Sequence, residues 1–396
     1  MDTIRHETEG AHALSVGERD RRYGLIRGAM RDRGIDALIV AGTNLLYLSG
    51  GLPGEMLGLL PAAPGEEFEA LINWRHLVDI PHEVMLGSQE WVKRVRPGRN
   101  AAPLADRLRE LRLESGTIGY AGPFSHDAYS ALMKAVPTLK LVDASEILND
   151  VRTIKSPAEI ALIDRANHVF NAAIQRIQEK ARPGMLGREV VQLGLNAMWD
   201  AGGDIGSHFS FNFGPRPAQN PVLAELCLNR KIEVGDIGTL TAHSHYHHYA
   251  GHSDQEIAFG DPKPAYVKQF DGVKKVRQAV LKRVRAGVTQ RDLFDAYDAT
   301  CAEVGYGTSE HAQMHQYGLD VPEFPGPGFR IPDAKGGKGL AGGGNFTLVT
   351  GMIYSISPTL LDHETEDLLL GGTSLAVTDD GYQELGAREV DLLVAG

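Results

Sequence analysis

The residues best suited to chemistry are crowded into one short segment, between Thr241 and Asp254. The segment holds five histidines and ends on an aspartate: His243, His245, His247, His248, His252 and Asp254. An imidazole gains and loses a proton near neutral pH, so it can act as a general acid or base. Imidazole nitrogen and carboxylate oxygen are also common ligands of divalent metals. The segment is therefore compatible with both kinds of chemistry.

The segment is predicted to form two strands joined by a hairpin. Side chains alternate between the faces of a strand, so Thr241, His243 and His245 share one face, joined by His247 if the strand extends that far. His252 and Asp254 return on the second strand. Three interpretations follow: structural histidines bonded to backbone or solvent, an acid/base site completed by His315, and a single-metal site of the histidine plus aspartate type.

Two pairs of segments indicate an internal duplication. The segments 235–241 and 351–357 both start on glycine and continue with alternating strand residues, so Thr241 and Ser357 occupy equivalent positions. The segments 184–202 and 287–305 both read as glycine, helix, glycine, at a constant offset of 103 residues. The sequence therefore predicts a doubled α+β unit with a cleft between its halves.

The elements ahead of the duplication alternate between helix and strand. A helical pattern over 18–34 leads into a buried strand over 35–40, and the alternation continues to about residue 142. Ser156, Pro157 and Glu159 then form a strong helix start, in which Ser156 caps and Glu159 completes a capping box. We therefore predict an N-terminal α/β domain over 1–153 and the doubled unit over 154–396.

Composition excludes several classes of function. The net charge of −11 and the pI near 5.8 oppose binding to nucleic acid, since that binding needs a surplus of Lys and Arg. No run of 18 apolar residues predicts a membrane span, and Met1 to Gly10 does not read as a secretory signal. Cys227 and Cys301 show no CxxC spacing, as expected of a cytoplasmic protein without a disulfide framework.

Motifs in a fixed order extend over most of the chain. They are Tyr47-Leu48-Ser49-Gly50, Arg152 with Lys155, Ser156 and Glu159, Pro183-Gly184, Val234-Gly235-Asp236, His315 followed by Tyr317-Gly318-Leu319, Gly351-Met352, and Val377-Thr378-Asp379-Asp380-Gly381. Together they resemble the creatinase/aminopeptidase P/prolidase family. The resemblance implies a duplicated pita-bread C-terminal domain. It also implies a homodimer in which the neighbour's N-terminal domain, near 49–57, helps to close the cleft.

The resemblance also implies where metal ligands would lie. Metallopeptidases of this family bind two metal ions through two aspartates, a histidine and two glutamates. Carried over by position, Asp254 and His315 are kept, whereas Thr241, Ser357 and Gly372 replace the other three. One carboxylate cannot offset two divalent cations, so we expect no dinuclear centre. A single divalent metal at the histidine and aspartate cluster is the alternative to a metal-free site.

Creatinase is a family member that works without metal, by general acid/base chemistry. Its active-site histidine corresponds to Gln219 in the frame 218–222, and its two glutamates map close to Gln255, with Glu256 next to it, and onto Ser357. A glutamine cannot take up a proton. Arg330, in the loop 327–331, offers a cation for a substrate carboxylate. Thr241 and Ser357 are expected either to fill vacated ligand sites or to donate hydrogen bonds to such a carboxylate.

We therefore expect a hydrolase that cleaves a C–N bond in a small polar metabolite. The candidate catalytic residues are His315, Asp254, His243, His245 and His252, and the candidate substrate-binding residues are Gln219, Thr241, Gln255, Ser357 and Arg330. Two alternatives are open: a lyase acting on a small zwitterionic or carboxylate substrate, and a catalytically silent binding protein.

Overall fold

The computed structural model describes residues 14–52, 57–73, 91–98, 101–204, 206–217, 227–308, 313–325, 328–332, 338–342 and 345–396. The chain divides into two compact units, Met1–Arg152 and Thr153–Gly396. Within the described residues, no helix is both long and apolar enough to cross a membrane. Cys227 and Cys301 are both free thiols.

The first unit is an α/β layer built on a six-stranded sheet. Its elements are α1 (Val16–Asp32), β1 (Ala37–Ala41), α2 (Thr43–Ser49), β2 (Leu57–Pro61), β3 (Glu69–Asn73), β4 (Arg94–Gly98), α3 (Ala102–Glu110), β5 (Thr117–Ala121), α4 (His126–Ala135), β6 (Lys140–Asp143) and α5 (Ser145–Thr153). The strand order is β4-β3-β2-β1-β5-β6. The predicted strands near β1, β5 and β6 are present and run parallel, whereas β2 pairs antiparallel with β1.

The second unit contains four helices and thirteen strands in its described part. They are α6 (Pro157–Lys180), α7 (Gly187–Asp200), β7 (His208–Gly214), β8 (Ile237–Tyr246), β9 (Tyr249–Phe259), α8 (Pro264–Leu281), α9 (Gln290–Val304), β10 (Gly307–Thr308), β11 (Gln313–Gln316), β12 (Gly328–Pro332), β13 (Lys338–Gly342), β14 (Ile353–Ser357), β15 (Thr359–Leu361), β16 (Leu368–Leu370), β17 (Thr373–Val377), β18 (Tyr382–Leu385) and β19 (Leu393–Ala395). The capping box predicted at the start of α6 is confirmed, with Ser156 and Glu159 each bonded to the other's backbone N–H.

Two four-stranded sheets carry this unit. The first has the order β19-β9-β8-β7 and the second the order β11-β14-β17-β18. Apolar residues of α6 and α7, among them Val169 and Phe170, pack against Phe211 and Leu240 of the first sheet. The helices α8 and α9 pack in the same way against the second sheet. Each sheet therefore buries one face under a pair of helices.

The backbone records the predicted duplication in detail. Glycines with positive φ occur at matching places in the two halves: Gly184 (φ 95°) with Gly287 (φ 87°), Gly202 (φ 87°) with Gly305 (φ 81°), and Gly235 (φ 92°) with Gly351 (φ 89°). Such φ values favour glycine because a Cβ is strained there. Two isolated backbone bridges, Leu186 to Lys231 and Thr289 to Thr347, also correspond. The fold is therefore α+β, with an N-terminal α/β domain followed by a duplicated pita-bread domain.

Candidate functional site

The face of the first sheet that lies away from its helices carries rows of polar side chains. The pairing of β7, β8 and β9 places His208 opposite His243, and His243 opposite His252. Directly opposed residues share a face and lie close together. The rings of His208 and His243 are 6.3 Å apart, and those of His243 and His252 are 4.8 Å apart. The row runs from an exposed histidine to one that is 2% exposed.

His315 extends this row from the second sheet. It lies on β11, and its ring centroid is 5.0 Å from that of His252. The Nδ1 atom of His315 is 3.1 Å from the carbonyl oxygen of Gln316. A carbonyl oxygen only accepts hydrogen bonds, so we assign the ring proton to Nδ1 and a lone pair to Nε2. His252 is held in the same tautomer by the carbonyl of Ala242, at 3.4 Å.

Burial keeps these rings neutral. It lowers the pKa of His243 to about 4, with smaller contributions from neighbouring histidines. Burial lowers the pKa of His252 well below its usual value and also lowers the pKa of His315, although the Asp254 charge opposes the shift at His315. Neutral imidazoles with free Nε2 atoms can accept protons.

The Asp254 carboxyl group accepts hydrogen bonds from Thr241 and Ser357, the two residues at equivalent positions of the duplication. Thr241 Oγ1 donates to Asp254 Oδ1 and Ser357 Oγ donates to Asp254 Oδ2, each at 2.7 Å. Asp254 is 1% exposed, and burial raises the pKa of its carboxyl group although both hydrogen bonds lower it. The structure thus brings Thr241 and Ser357 together on one carboxyl group. The two hydroxyls hold Asp254, as residues that fill vacated ligand positions can do; that they also donate to a substrate stays a prediction.

Gly372 lies between β16 and β17 and packs against Asp254 and Ser357. A Cβ atom on this glycine would lie 2.7 Å from Asp254 N and 2.7 Å from Ser357 Oγ. A larger residue therefore does not fit without movement of the strand or of Ser357.

Glu256 is a second buried carboxyl group on the same face of β9, two residues after Asp254. The sequence analysis did not predict it as a site residue. Glu256 is opposite Thr239, which is opposite Asn212. Thr239 Oγ1 donates to Glu256 Oε1 at 2.9 Å, while Glu256 Oε2 and Asn212 Oδ1 have no hydrogen-bond partner among the described residues. Burial raises the pKa of Glu256 well above its usual value. Strand alternation from Asp254 was the signal that could have identified it.

Gln255 lies on the other face of β9, away from these rows. Its Nε2 donates to the carbonyls of Glu256 and Asp391, each at 2.7 Å, and its Oε1 accepts from Arg388. Arg388 also donates to Ser253 Oγ at 3.2 Å and to the Asp254 carbonyl at 3.0 Å, and burial lowers its pKa to about 10. With its amide thus engaged, Gln255 is not placed to bind substrate. Arg388 instead holds the strand that carries Asp254, and no sequence pattern pointed to it.

The hairpin tip separates the remaining histidines from the row. The residues 247 and 248 form the two-residue turn, with φ values of 46° and 70°, so His247 is not on the strand face. The backbone N–H groups of His247 and His248 donate to the carboxylate of Asp204. His245 lies on the predicted face toward this tip, opposite Ala250, and takes no part in the ring contacts found in the described structure.

Two predicted substrate-binding groups cannot be placed. Gln219 lies outside the described residues, and so does the side chain of Arg330.

The donor atoms do not fit a pair of divalent cations. Asp254 supplies a single carboxylate whose two oxygens already accept hydroxyl hydrogen bonds, and Thr241 and Ser357 supply only neutral oxygens. Gly372 supplies no side chain. Hard cations need several anionic oxygens to offset their charge. The described residues also contain no group of three or more His, Cys, Asp or Glu arranged to hold a metal ion.

Comparison with known proteins connects this geometry to a family. The profile of metallopeptidase family M24 matches residues 161–391, and that of the creatinase/prolidase N-terminal domain matches residues 22–154. The chain is 23% identical over 384 residues to the Xaa-Pro dipeptidase of Pyrococcus horikoshii, covering 92% of this chain and 96% of that one. It is 21% identical over 298 residues to the Xaa-Pro dipeptidase of Pyrococcus furiosus, covering 73% and 78%.

Solved structures show the same fold. The Xaa-Pro dipeptidase from Bacillus anthracis matches with a TM-score of 0.77 at 18% identity, over 95% of this chain and 99% of that one. The prolidase from Pyrococcus horikoshii matches with a TM-score of 0.76 at 20% identity, over 94% and 99%. Because the family profile covers more than half of its length, the chain belongs to metallopeptidase family M24, a family of hydrolases, and carries the creatinase/prolidase N-terminal domain.

Proposed function

We propose that the protein hydrolyses a C–N bond in a small polar metabolite by general acid/base catalysis, without a dinuclear metal centre. The observation that carries this proposal is the arrangement of His315 beside Asp254. The imidazole is neutral, its tautomer is fixed by the Gln316 carbonyl, and its Nε2 is free to take a proton. The family supplies the hydrolase class.

The roles follow from the charges at each step. His315 Nε2 removes a proton from a water molecule, which attacks the carbon of the C–N bond. The resulting imidazolium is stabilised by the charge of Asp254, which already favours the protonated form of His315. The imidazolium then returns the proton to the departing nitrogen, so the proton count balances. Thr241 and Ser357 keep the carboxyl group in place throughout.

His252 and His243 extend the polar face on which the substrate would lie. His252 Nε2 is buried and has no hydrogen-bond partner among the described residues, so it can accept a hydrogen bond from an N–H or O–H group of the substrate. Such a contact would orient the scissile bond toward His315. We therefore assign His252 to substrate positioning and His315 to proton transfer.

The test is a screen of the purified protein for release of amine or ammonia. The panel contains small amides, guanidino compounds, ammonium and sulfonium zwitterions, and Xaa-Pro dipeptides, each with EDTA and with added Mn²⁺. We expect hydrolysis of a non-peptide substrate that EDTA does not abolish. An activity confined to Xaa-Pro dipeptides and dependent on Mn²⁺ would contradict the proposal, and an unsaturated product would indicate the lyase alternative.

The role of His315 is tested on the substrate so identified. We expect His315→Ala and His315→Gln each to lower kcat/KM by about 10²–10⁴, since this is the usual contribution of a general acid/base. The melting temperature of the glutamine variant should stay within a few degrees of the parent. His168→Ala, at a histidine whose side chain is 48% exposed on α6, is the matched control and should keep full activity. A fully active His315→Gln protein would show that His315 is structural.

A further inference from the structure

The first unit contains a cavity that the proposed function does not use. Its volume is about 190 Å³, and it is bounded by α1, by the segment 65–68 and by the segment 91–93. Three aromatic side chains, Tyr23, Phe68 and Trp91, contribute to its wall. Each of them is at least nine-tenths buried, and the rings of Tyr23 and Phe68 are 5.9 Å apart. The aromatic part of the wall is thus held in place by packing.

The acidic groups at the rim are already neutralised by cations. Asp20 pairs with Arg19 at 2.7 Å, Glu66 pairs with Arg107 at 2.7 Å, and Glu67 pairs with Arg94 at 3.2 Å. Arg94 and Arg107 are not part of the cavity wall. Glu66 and Glu67 are thus paired with arginines that do not line the cavity. The positive charges that do line it therefore outnumber the negative charges left to balance them.

Arg27 is the centre of this excess charge. Its Nε donates to the Pro61 carbonyl at 3.0 Å, and its NH2 group donates to the Glu66 carbonyl. Both acceptors are neutral, and no carboxylate pairs with Arg27 among the described residues. Its guanidinium carbon lies 5.8 Å from the centre of the Tyr23 ring, and burial lowers its pKa. The carboxylates of Asp20 and Glu66 attract this guanidinium, but neither forms a salt bridge with it, so its remaining N–H groups can receive an anion.

Lys93 provides a second cation on the same wall. It is exposed, and neither a salt bridge nor a hydrogen bond joins its ammonium group to another described residue. An exposed ammonium contributes attraction without a fixed geometry, whereas a guanidinium fork also fixes orientation. Lys93 would therefore attract an anion, and Arg27 would also orient it.

We propose that this cavity binds a small organic carboxylate, with its two oxygens on Arg27 and its apolar body against Tyr23, Phe68 and Trp91. The planar fork of a guanidinium matches a carboxylate bidentately. The aromatic wall favours a ligand with an apolar body over a bare inorganic anion. The site lies wholly within the first unit and is independent of the proposed hydrolase activity.

The test is isothermal titration calorimetry of the full chain with benzoate, acetate and inorganic phosphate. We expect benzoate to bind, and acetate to bind about tenfold more weakly or less because it lacks the ring. Arg27→Gln should weaken benzoate binding by about tenfold or more, since charge-assisted bonds are lost. Lys93→Gln should weaken it by a few fold, with a decrease that vanishes at high salt.

Arg27 also bonds two backbone carbonyls, so Arg27→Gln is checked for folding by circular dichroism. The Lys93 ammonium group forms no hydrogen bond or salt bridge with another described residue, so Lys93→Gln remains informative if the first variant unfolds. Arg33→Gln is the matched control, because Arg33 ends the same helix and pairs with Asp150 away from the cavity wall. Absence of any benzoate signal up to tens of millimolar would overturn the proposal. Phosphate binding at least as tight as benzoate, or benzoate binding unchanged in both variants, would overturn it equally.

Discussion

The two halves of the second unit share a backbone plan but differ in chemistry. In the first half, the polar face of β7, β8 and β9 carries ionisable groups, of which His243, His252, Asp254 and Glu256 are partly or fully buried. In the second half, the equivalent face carries mainly hydroxyls. There the pairing of β11, β14 and β17 places His315 beside Ser355, and Ser355 beside Ser374.

The difference shows how a duplicated fold can divide the work of one site. The second half supplies hydroxyl donors that hold residues of the first half: Ser357 donates to the Asp254 carboxyl group, and Ser374 donates to the backbone carbonyl of His252. A carboxyl group buried without such donors would be strongly destabilising. The second half thus contributes one titratable side chain, His315, together with hydroxyls that keep the buried groups of the first half in place.

The largest effect is expected when a carboxylate replaces the hydroxyl in each half, at Thr241 and at Ser357. In Thr241→Asp with Ser357→Glu, we expect the free energy of unfolding to fall by about 3 kcal/mol or more without metal, because three carboxyl groups crowd one buried place. Mn²⁺ or Co²⁺ should then raise the melting temperature in a concentration-dependent way, since a ligand of the native state stabilises it. Thermal denaturation with and without metal measures both effects.

The parent protein is the control for the metal titration and should respond little. If the double variant melts like the parent both with and without metal, the two hydroxyl positions do not face a common carboxyl group, and the duplication argument fails at this point.

Removing one hydroxyl at a time compares the halves directly. Thr241→Val and Ser357→Ala should each lower the free energy of unfolding by about 2 kcal/mol, since each deletes a hydrogen bond to a buried carboxyl group. The effect should be larger at Ser357, which is fully buried, than at Thr241, which is partly exposed. Urea denaturation gives both values.

Ser355→Ala is the matched control on the same strand. Its hydroxyl is buried and has no hydrogen-bond partner in the described part of the chain, so its loss should cost no more than about 0.5 kcal/mol. An equal loss of stability in all three variants would show that the hydroxyls on Asp254 have no special role.

His243, in the first half, should also make the free energy of unfolding depend on pH. The pKa of His243 is about 4 in the folded protein and about 6.5 in an unfolded chain. Between these values the unfolded chain binds the proton and the native state does not, so the free energy of unfolding falls as the pH is lowered from 7 to 4. His243→Gln should remove about 3 kcal/mol of this decrease, since each pKa unit corresponds to about 1.36 kcal/mol. Denaturation at a series of pH values measures it.

Asp254 contributes with the opposite sign, because its folded pKa is raised and the native state gains the proton first as the pH falls. His168→Gln, at the exposed histidine, should leave the slope unchanged. A slope for His243→Gln identical to that of the parent would mean that His243 is not held neutral by the fold.

The smallest expected difference concerns the helix starts that the duplication makes equivalent. At α9, Thr289 and Asp292 form a reciprocal capping box. At α7, Glu189 accepts from Leu186 N at 2.6 Å, but a leucine side chain offers no acceptor in return. Asp292→Ala should therefore cost about 1 kcal/mol and Glu189→Ala about 0.5 kcal/mol, as urea denaturation would show. The reverse order would contradict the comparison.

Local sequence determined much of this protein. Strand alternation placed Thr241, His243 and His252 on one face, and glycine spacing revealed the duplication, because both depend only on near neighbours. The start of α6 at Ser156 followed from side chains three residues apart. The same alternation excludes Gln255 from the polar face, although the resemblance to creatinase suggested a role for it there.

Only the tertiary structure decided how the site is held together. The bond from Ser357 to Asp254 joins residues 103 positions apart, and those from Arg388 to Ser253 and Gln255 join residues 135 and 133 positions apart. Burial of Glu256 likewise depends on which strands and helices cover it. Side-chain partners, exposure and pKa shifts depend on how elements far apart in the sequence pack together. Local periodicity does not show which distant residue will contact a given side chain.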